Sequence, residues 1–244
     1  SKTIAILGLF GAFLTPVLLS GHIEENLNSY VILSMYIILV DLGILIVSSL
    51  RNWRYFILIG MIGSYLIIGG HPVVEDLSVG DLGFSTLIVA QVLITSVFLI
   101  FAGATTLFHI FSRRAPDRLV LSIMILNALF FYSISLSIWQ QYQSWYGLIT
   151  ILVSMFYLVV GYLIVKRTGQ PSLISLYSFS ISLIFFTISI PVQLTESWLV
   201  LAWFAEGSVL IWLGFVLKEW RTRVFGLGLL VISSIALLGW ATDV

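Results

Sequence analysis

Residues 29–50 read SYVILSMYIILVDLGILIVSSL, a run of 22 residues with Asp41 as its one charge, followed at once by Arg51, Trp53 and Arg54. A bilayer core of roughly 30 Å is crossed by about 20 apolar residues in a helix. The run is long and continuous, not an alternation over about 10 residues as in an outer-membrane barrel strand. Its basic and aromatic boundary is what the headgroup layer favours.

The same reading extends along the chain. Nine spans are expected: Thr3–Leu19, Ser29–Leu50, Tyr55–Gly70, Phe84–Phe111, Leu119–Trp139, Tyr146–Val165, Ser172–Ile190, Trp198–Leu217 and Val224–Trp240. The fold class is therefore an all-α polytopic membrane bundle forming a single transmembrane domain over residues 1–244. Composition agrees. Of 244 residues 60% are hydrophobic and 9% charged, with mean hydropathy +1.12, against about 45–50% apolar and about 25% charged in soluble domains. That excludes an ordinary soluble enzyme. Eleven Lys and Arg balance eleven Asp and Glu, so no basic excess points to nucleic acid, and the lack of cysteine excludes disulfides and thiolate chemistry.

Charge placement gives the orientation. Ten of the eleven cations fall in the even-numbered connections: Arg51 and Arg54; Arg113, Arg114 and Arg118; Lys166 and Arg167; Lys218, Arg221 and Arg223. The odd connections carry His22, Glu24 and Glu25, then His71, Glu75, Asp76 and Asp81, then the uncharged Gln140–Trp145, then Glu196. The positive-inside rule puts the even connections and Lys2 in the cytoplasm, the N-terminus in and the C-terminus out. Six tryptophans (Trp53, Trp139, Trp145, Trp198, Trp220 and Trp240) fall at span ends, while Trp203 and Trp212 lie inside the eighth span. The connections are short, about a dozen residues at most, so chemistry must come from the spans. The chain begins at Ser1, almost directly on an apolar run that lacks a typical cleavage pattern, which suggests a slice of a longer protein.

Two intramembrane acids are the candidate polar sites. Glu206 lies about 12 Å below the outer surface at 1.5 Å per residue. A carboxylate near the bilayer centre costs at least about 2.5–3.5 kcal/mol on insertion scales, so Glu206 must face protein or water. It reads either as a proton or cation site or as a hydrogen-bonded packing lock, and its neighbour Gly207 would admit a close helix. Asp41 shares a face with Ser34 and Ser48 at seven-residue spacing. That stripe reads as a water path or as a packing seam. No Lys or Arg is expected inside a span to neutralise either acid.

Ala5, Gly8, Ala12 and Thr15 form a small-residue face on the first span, and Pro16 frees a backbone carbonyl there. Ser175, Ser178, Ser182 and Ser189 make a similar face on the seventh. His109 reads as interfacial and His71 before Pro72 as a turn, while His22 with Glu24, or His71 with Glu75, offers too few ligands for a metal. No catalytic residue, metal site or cofactor is expected, since no phosphate-binding glycine loop, zincin motif or nucleophile elbow occurs.

Three passages together resemble a known family: residues 8–20 (GLFGAFLTPVLLS), 127–132 (NALFFY) and 190–207 (IPVQLTESWLVLAWFAEG). They are similar to the large bacterial multi-pass membrane proteins of domain-of-unknown-function family 2339. The resemblance implies further spans before this segment, and carries Pro191, Gln193, Trp198, Trp203, Glu206 and Gly207 over as matched positions. It also implies that Asn is often found at Asp41, which favours hydrogen bonding over proton carriage. Three functions remain open: transport-like handling of a small solute or lipid-linked molecule, a structural or assembly subunit of a membrane complex, and an envelope enzyme using Glu75, Asp76 and Asp81. The expected partners are the lipid bilayer and further membrane helices or subunits, not nucleic acid.

Overall fold

A backbone that cannot reach water must bond its own N–H and C=O groups, and the helix does this within one segment. The computed structural model of the chain describes residues 2–19, 27–51, 53–71, 84–112, 118–170, 172–193, 197–216 and 220–242, and those residues are almost entirely helical. Among them run nine α-helices: α1 (Lys2–Leu19), α2 (Leu27–Arg51), α3 (Arg54–Gly69), α4 (Phe84–Ser112), α5 (Arg118–Ile138), α6 (Tyr146–Thr168), α7 (Leu173–Gln193), α8 (Ser197–Val216) and α9 (Trp220–Thr242). Among the described residues, six helical stretches are long and apolar enough to cross a membrane: those of α2, α4, α5, α6 with its preceding turn, α7 and α9. The apolar helices at Thr3–Leu18 and Tyr55–Gly69 are shorter.

Helix boundaries lie within about four residues of the sequence reading, and three of the differences are instructive. The uncharged connection at Gln140–Trp145 is a 3₁₀ helix with a kink at Tyr142, leading directly into α6. α7 runs through Pro191 to Gln193. α9 starts at Trp220, so Arg221 and Arg223 lie in its first turn and not in a loop. Long basic side chains at a helix end carry their charge outward along an apolar stem, so the helix can begin before the hydropathy does. Gly169 ends α6 in the left-handed region at φ 71°, where a side chain would be strained, and its N–H bonds Val165 O at 2.9 Å.

Helices pack mostly on their sequence neighbours: α2 on α3 and α4, α4 on α5, α6 on α7, and α8 on α9. The main core spans α2 to α7 and includes Tyr30, Ile37, Met61, Ile94, Met124 and Tyr157. A smaller cluster of Leu9, Ile44 and Phe56 attaches α1 to α2 and α3. Large apolar side chains point outward as well, among them Leu7, Leu39 and Trp212, each at least 65% exposed. A water-facing surface would not tolerate so many together; a hydrocarbon solvent does.

Burial of apolar surface gives helices no drive to associate inside lipid, so hydrogen bonds and close contacts must supply it. Here they recur from pair to pair. Asn127 on α5 donates to Phe98 O on α4 at 3.1 Å and accepts from the Tyr65 hydroxyl on α3 at 2.7 Å. Tyr157 on α6 donates to Met124 O on α5 at 3.2 Å. Ser154 on α6 donates to Ser182 O on α7 at 2.9 Å. Gln91 joins α4 to Ser135 on α5, and accepts from the Trp139 indole at 3.1 Å.

Pro16 has no N–H to give the carbonyl four residues before it, that of Ala12. The Tyr36 hydroxyl of α2 donates to Ala12 O at 3.1 Å, filling the gap that proline leaves. The expected close-packing face of α1 needs correcting at Gly8. A Cβ on Gly8 would meet nothing within 4 Å, and the same holds at Gly11. α1 instead turns Leu9 and Phe13 toward its neighbours, with the Phe13 ring lying over Gly63 of α3. Two large side chains give more contact than a row of small ones, so Gly8 is left outward, while Ala5 packs against the smaller cluster and Ala12 accepts from Tyr36.

Candidate functional site

Both intramembrane acids sit close to the midpoints of their helices, Asp41 on α2 and Glu206 on α8. Asp41 is fully buried and Glu206 is 9% exposed. Each is bound by a hydroxyl from the adjacent helix. Ser64 of α3 donates to Asp41 Oδ1 at 2.5 Å, and Thr187 of α7 donates to Glu206 Oε1 at 2.6 Å. In each carboxyl the second oxygen, Asp41 Oδ2 or Glu206 Oε2, is buried without a hydrogen-bond partner.

The α2 stripe is buried along its length, at Ser34, Asp41 and Ser48. Ser48 bonds its own helix at Leu45 O, while Ser34 Oγ and the hydroxyl of Tyr30, one turn away, have no partner. Ile37, also fully buried, fills the same face between Ser34 and Asp41, so apolar side-chain volume interrupts the stripe. Around Glu206, the indole N–H of Trp203 lies one turn earlier on α8, buried and without a partner. On the following position, Gly207 meets Gly226 of α9 so closely that a Cβ on it would lie 2.9 Å from Gly226 O. Pro191 falls in the last turn of α7, and Gln193 at its end is exposed, its side chain lying against Gly147 of α6. The side chains of Trp198 and His109, and all of His22, Glu75, Asp76 and Asp81, lie outside the described residues. His71 stands at the end of α3 with its ring against Tyr30 at 5.3 Å.

Asp41 and Glu206 thus belong to separate helix pairs, each with its own hydroxyl partner. The expectation of no cation within a span is amended at the helix ends, where Arg118, Lys166, Arg167, Arg221 and Arg223 fall inside the apolar stretches. Arg223 in the first turn of α9 places its guanidinium over the Phe215 ring at 5.0 Å. Phe215 is about 13 Å along α8 from Glu206 at 1.5 Å per residue, so this cation does not neutralise the acid. Ser64 and Thr187 are the partners that the sequence did not single out, and Asn127 with Tyr65 is the polar junction it did not assemble. Two grooves open sideways from the bundle. One of about 370 Å³ is lined by Gln91, Trp139 and Phe156 among others, and one of about 600 Å³ runs between α1 and α3 past Phe13 and His71. Neither is lined by Asp41 or Glu206.

An all-helical array of apolar segments, joined by buried polar contacts and turning large apolar side chains outward, defines a membrane-embedded helical protein. The family described as "Predicted membrane protein (DUF2339)" matches residues 1–243, essentially the whole chain, and the chain belongs to that family. No curated protein and no solved structure matches it.

Proposed function

We propose that this chain works as a transport-like membrane unit for a small solute or lipid-linked molecule, with Glu206 at its working site. The observation that carries the reading is the pair of unused polar atoms on one turn of α8. The Trp203 N–H and Glu206 Oε2 are buried, unpartnered and of opposite hydrogen-bonding sense. Buried polar atoms left without partners are uncommon and ask for a role. An acceptor beside a donor suits a ligand carrying hydroxyl or amide groups. In this reading all nine helices cross the bacterial cytoplasmic membrane as one domain of a longer protein, N-terminus inside and C-terminus outside.

Glu206→Gln keeps the shape and hydrogen-bonding capacity of the side chain. The expected result is an intact fold, judged by thermal unfolding in detergent, with the cellular phenotype of deletion. Normal growth with this variant would remove the main support for the transport reading. A structural or assembly role is the second reading, favoured by the polar contacts that tie helix to helix from α1 to α8. On that reading Glu206→Gln is silent, because an amide still bonds Thr187.

The orientation is checked separately. The chain has no native cysteine, so single cysteines at Gln143 and Gly169 are clean reporters. Gln143 is expected to label from outside the cell and Gly169 only after permeabilisation. Labelling of both from outside would overturn the nine-span arrangement.

A further inference from the structure

Asp41 and Glu206 share a three-atom arrangement that occurs on two different helix pairs. The Ser64 hydroxyl that meets Asp41 at 2.5 Å also lies 2.9 Å from the Gly60 carbonyl of its own helix. The Thr187 hydroxyl that meets Glu206 at 2.6 Å also lies 3.0 Å from the Leu183 carbonyl. In both cases the carbonyl is four residues before the hydroxyl. A hydroxyl has one proton to donate, so two acceptors must share it unless one of them brings a proton of its own. Each contact becomes a full hydrogen bond when the carboxyl itself holds a proton and donates it to the hydroxyl oxygen, a proton that a carbonyl acceptor could not supply.

We infer that Asp41 and Glu206 are two proton-binding sites of one design, in which a carboxyl, a neighbouring hydroxyl and its helix carbonyl form a two-state relay. With the proton bound, the carboxyl O–H donates to the hydroxyl, and the hydroxyl O–H donates to the carbonyl. On release, the carboxyl O–H bond breaks, its electron pair stays on the carboxylate, and the proton leaves to water. The hydroxyl then turns about its C–O bond and donates to the carboxylate, while the carbonyl keeps only its backbone bond. Nothing is oxidised or reduced, and one proton is exchanged per site. The bound proton sits on Asp41 Oδ1 and Glu206 Oε1, the oxygens that meet the hydroxyls, while Oδ2 and Oε2 stay without a partner.

Few other groups act on either relay. Among the described groups, Tyr65 of α3 is the titratable one that acts on Asp41, while on α2 itself Tyr30 faces His71 and Tyr36 faces Ala12 of α1. On α7, α8 and α9 the described charged or titratable groups besides Glu206 are Tyr177, near the far end of α7, and Arg221 and Arg223 at the start of α9. The inference does not rest on a transport role, since a purely structural protein could carry the same two sites.

The test uses the purified chain in lipid nanodiscs and infrared difference spectra between acidic and alkaline buffer, following the C=O stretch of protonated carboxyls. The expected spectrum contains a component lost in Asp41→Asn and another lost in Glu206→Gln. Ser64→Ala and Thr187→Val should shift the component of their own partner without removing it. The inference is overturned if the wild type and the Asp41→Asn/Glu206→Gln double variant give the same spectrum. Components that ignore both hydroxyl substitutions would overturn it equally. Where a variant fails to fold, carboxyl-¹³C labelling of Asp or Glu in the wild type assigns the component instead. Failure here is distinguishable from failure of the transport reading. Lost phenotype in Glu206→Gln without a carboxyl signal overturns this inference alone, and a carboxyl signal with normal growth overturns the other.

Discussion

Gly226→Val should be among the most damaging single substitutions in the chain. A Cβ at Gly226 would lie 2.8 Å from Gly207 O and 2.9 Å from the backbone N of Ile211. Those atoms belong to the backbone of α8 and cannot rotate aside, so α8 and α9 must separate. Overpacking typically costs about 1–3 kcal/mol, and rigid backbone on the opposing side places this case at or above the upper end. Gly228→Val supplies the control two residues along the same helix, because a Cβ there meets nothing within 4 Å. Its effect should stay within about 0.5 kcal/mol, as for surface changes away from special features. Thermal unfolding of the two variants in the same detergent measures the contrast. Equal melting behaviour would mean that the α8–α9 contact contributes nothing to stability.

Asn127→Leu is expected to be the other large effect. Asn127 is fully buried at the centre of the polar junction of α3, α4 and α5. Leucine fills a similar volume yet leaves the buried Tyr65 hydroxyl without its side-chain acceptor. The hydroxyl then keeps only the long 3.5 Å contact to the backbone carbonyl of residue 127, and a buried donor so poorly satisfied costs about 1–3 kcal/mol, well above the average of about 0.6 kcal/mol found for hydrogen bonds between membrane helices. Adding Tyr65→Phe removes the orphan, so the double variant should recover about half of the loss. If Tyr65→Phe instead adds its full cost to that of Asn127→Leu, the two residues are not coupled and the junction is not a unit. Denaturant unfolding of the four proteins in the cycle decides it.

The helices were legible because lipid leaves the backbone so few choices. An uninterrupted run such as residues 29–50 has no other way to bond its N–H and C=O groups. Boundaries were harder where polarity and helicity part company. Hydropathy rises at Val224, while the helix begins at Trp220, because Arg221 and Arg223 are long enough to keep helical backbone and still send charge outward. Asp41 and Glu206 could be found from sequence since an acid in an apolar run is unusual. Their partners could not. Ser64 and Thr187 look like Ser96 or Ser180, which bond their own helices at Val92 O and Leu176 O and touch no acid. Gly8 shows the same limit from the other side. Small residues read equally well as a docking face or as a shallow surface left to lipid, and only the position of the next helix distinguishes them.

The helix-on-neighbour order of packing bears on how the protein is made. Chains are synthesised N-terminus first, and contacts between elements close in sequence form fastest. Because α4 meets α5, α6 meets α7 and α8 meets α9, each newly emerging helix finds its partner already waiting or arriving next. The bundle can therefore be assembled hairpin by hairpin during insertion, with no long-range search across the membrane. α1 departs from this rhythm. Its Phe13 ring rests on Gly63 of α3, while Leu9 packs with Ile44 of α2 and the Tyr36 hydroxyl of α2 donates to the Ala12 carbonyl, so both following helices hold it. The proline-made gap in α1 thus doubles as an anchorage, made as soon as α2 follows it into the membrane.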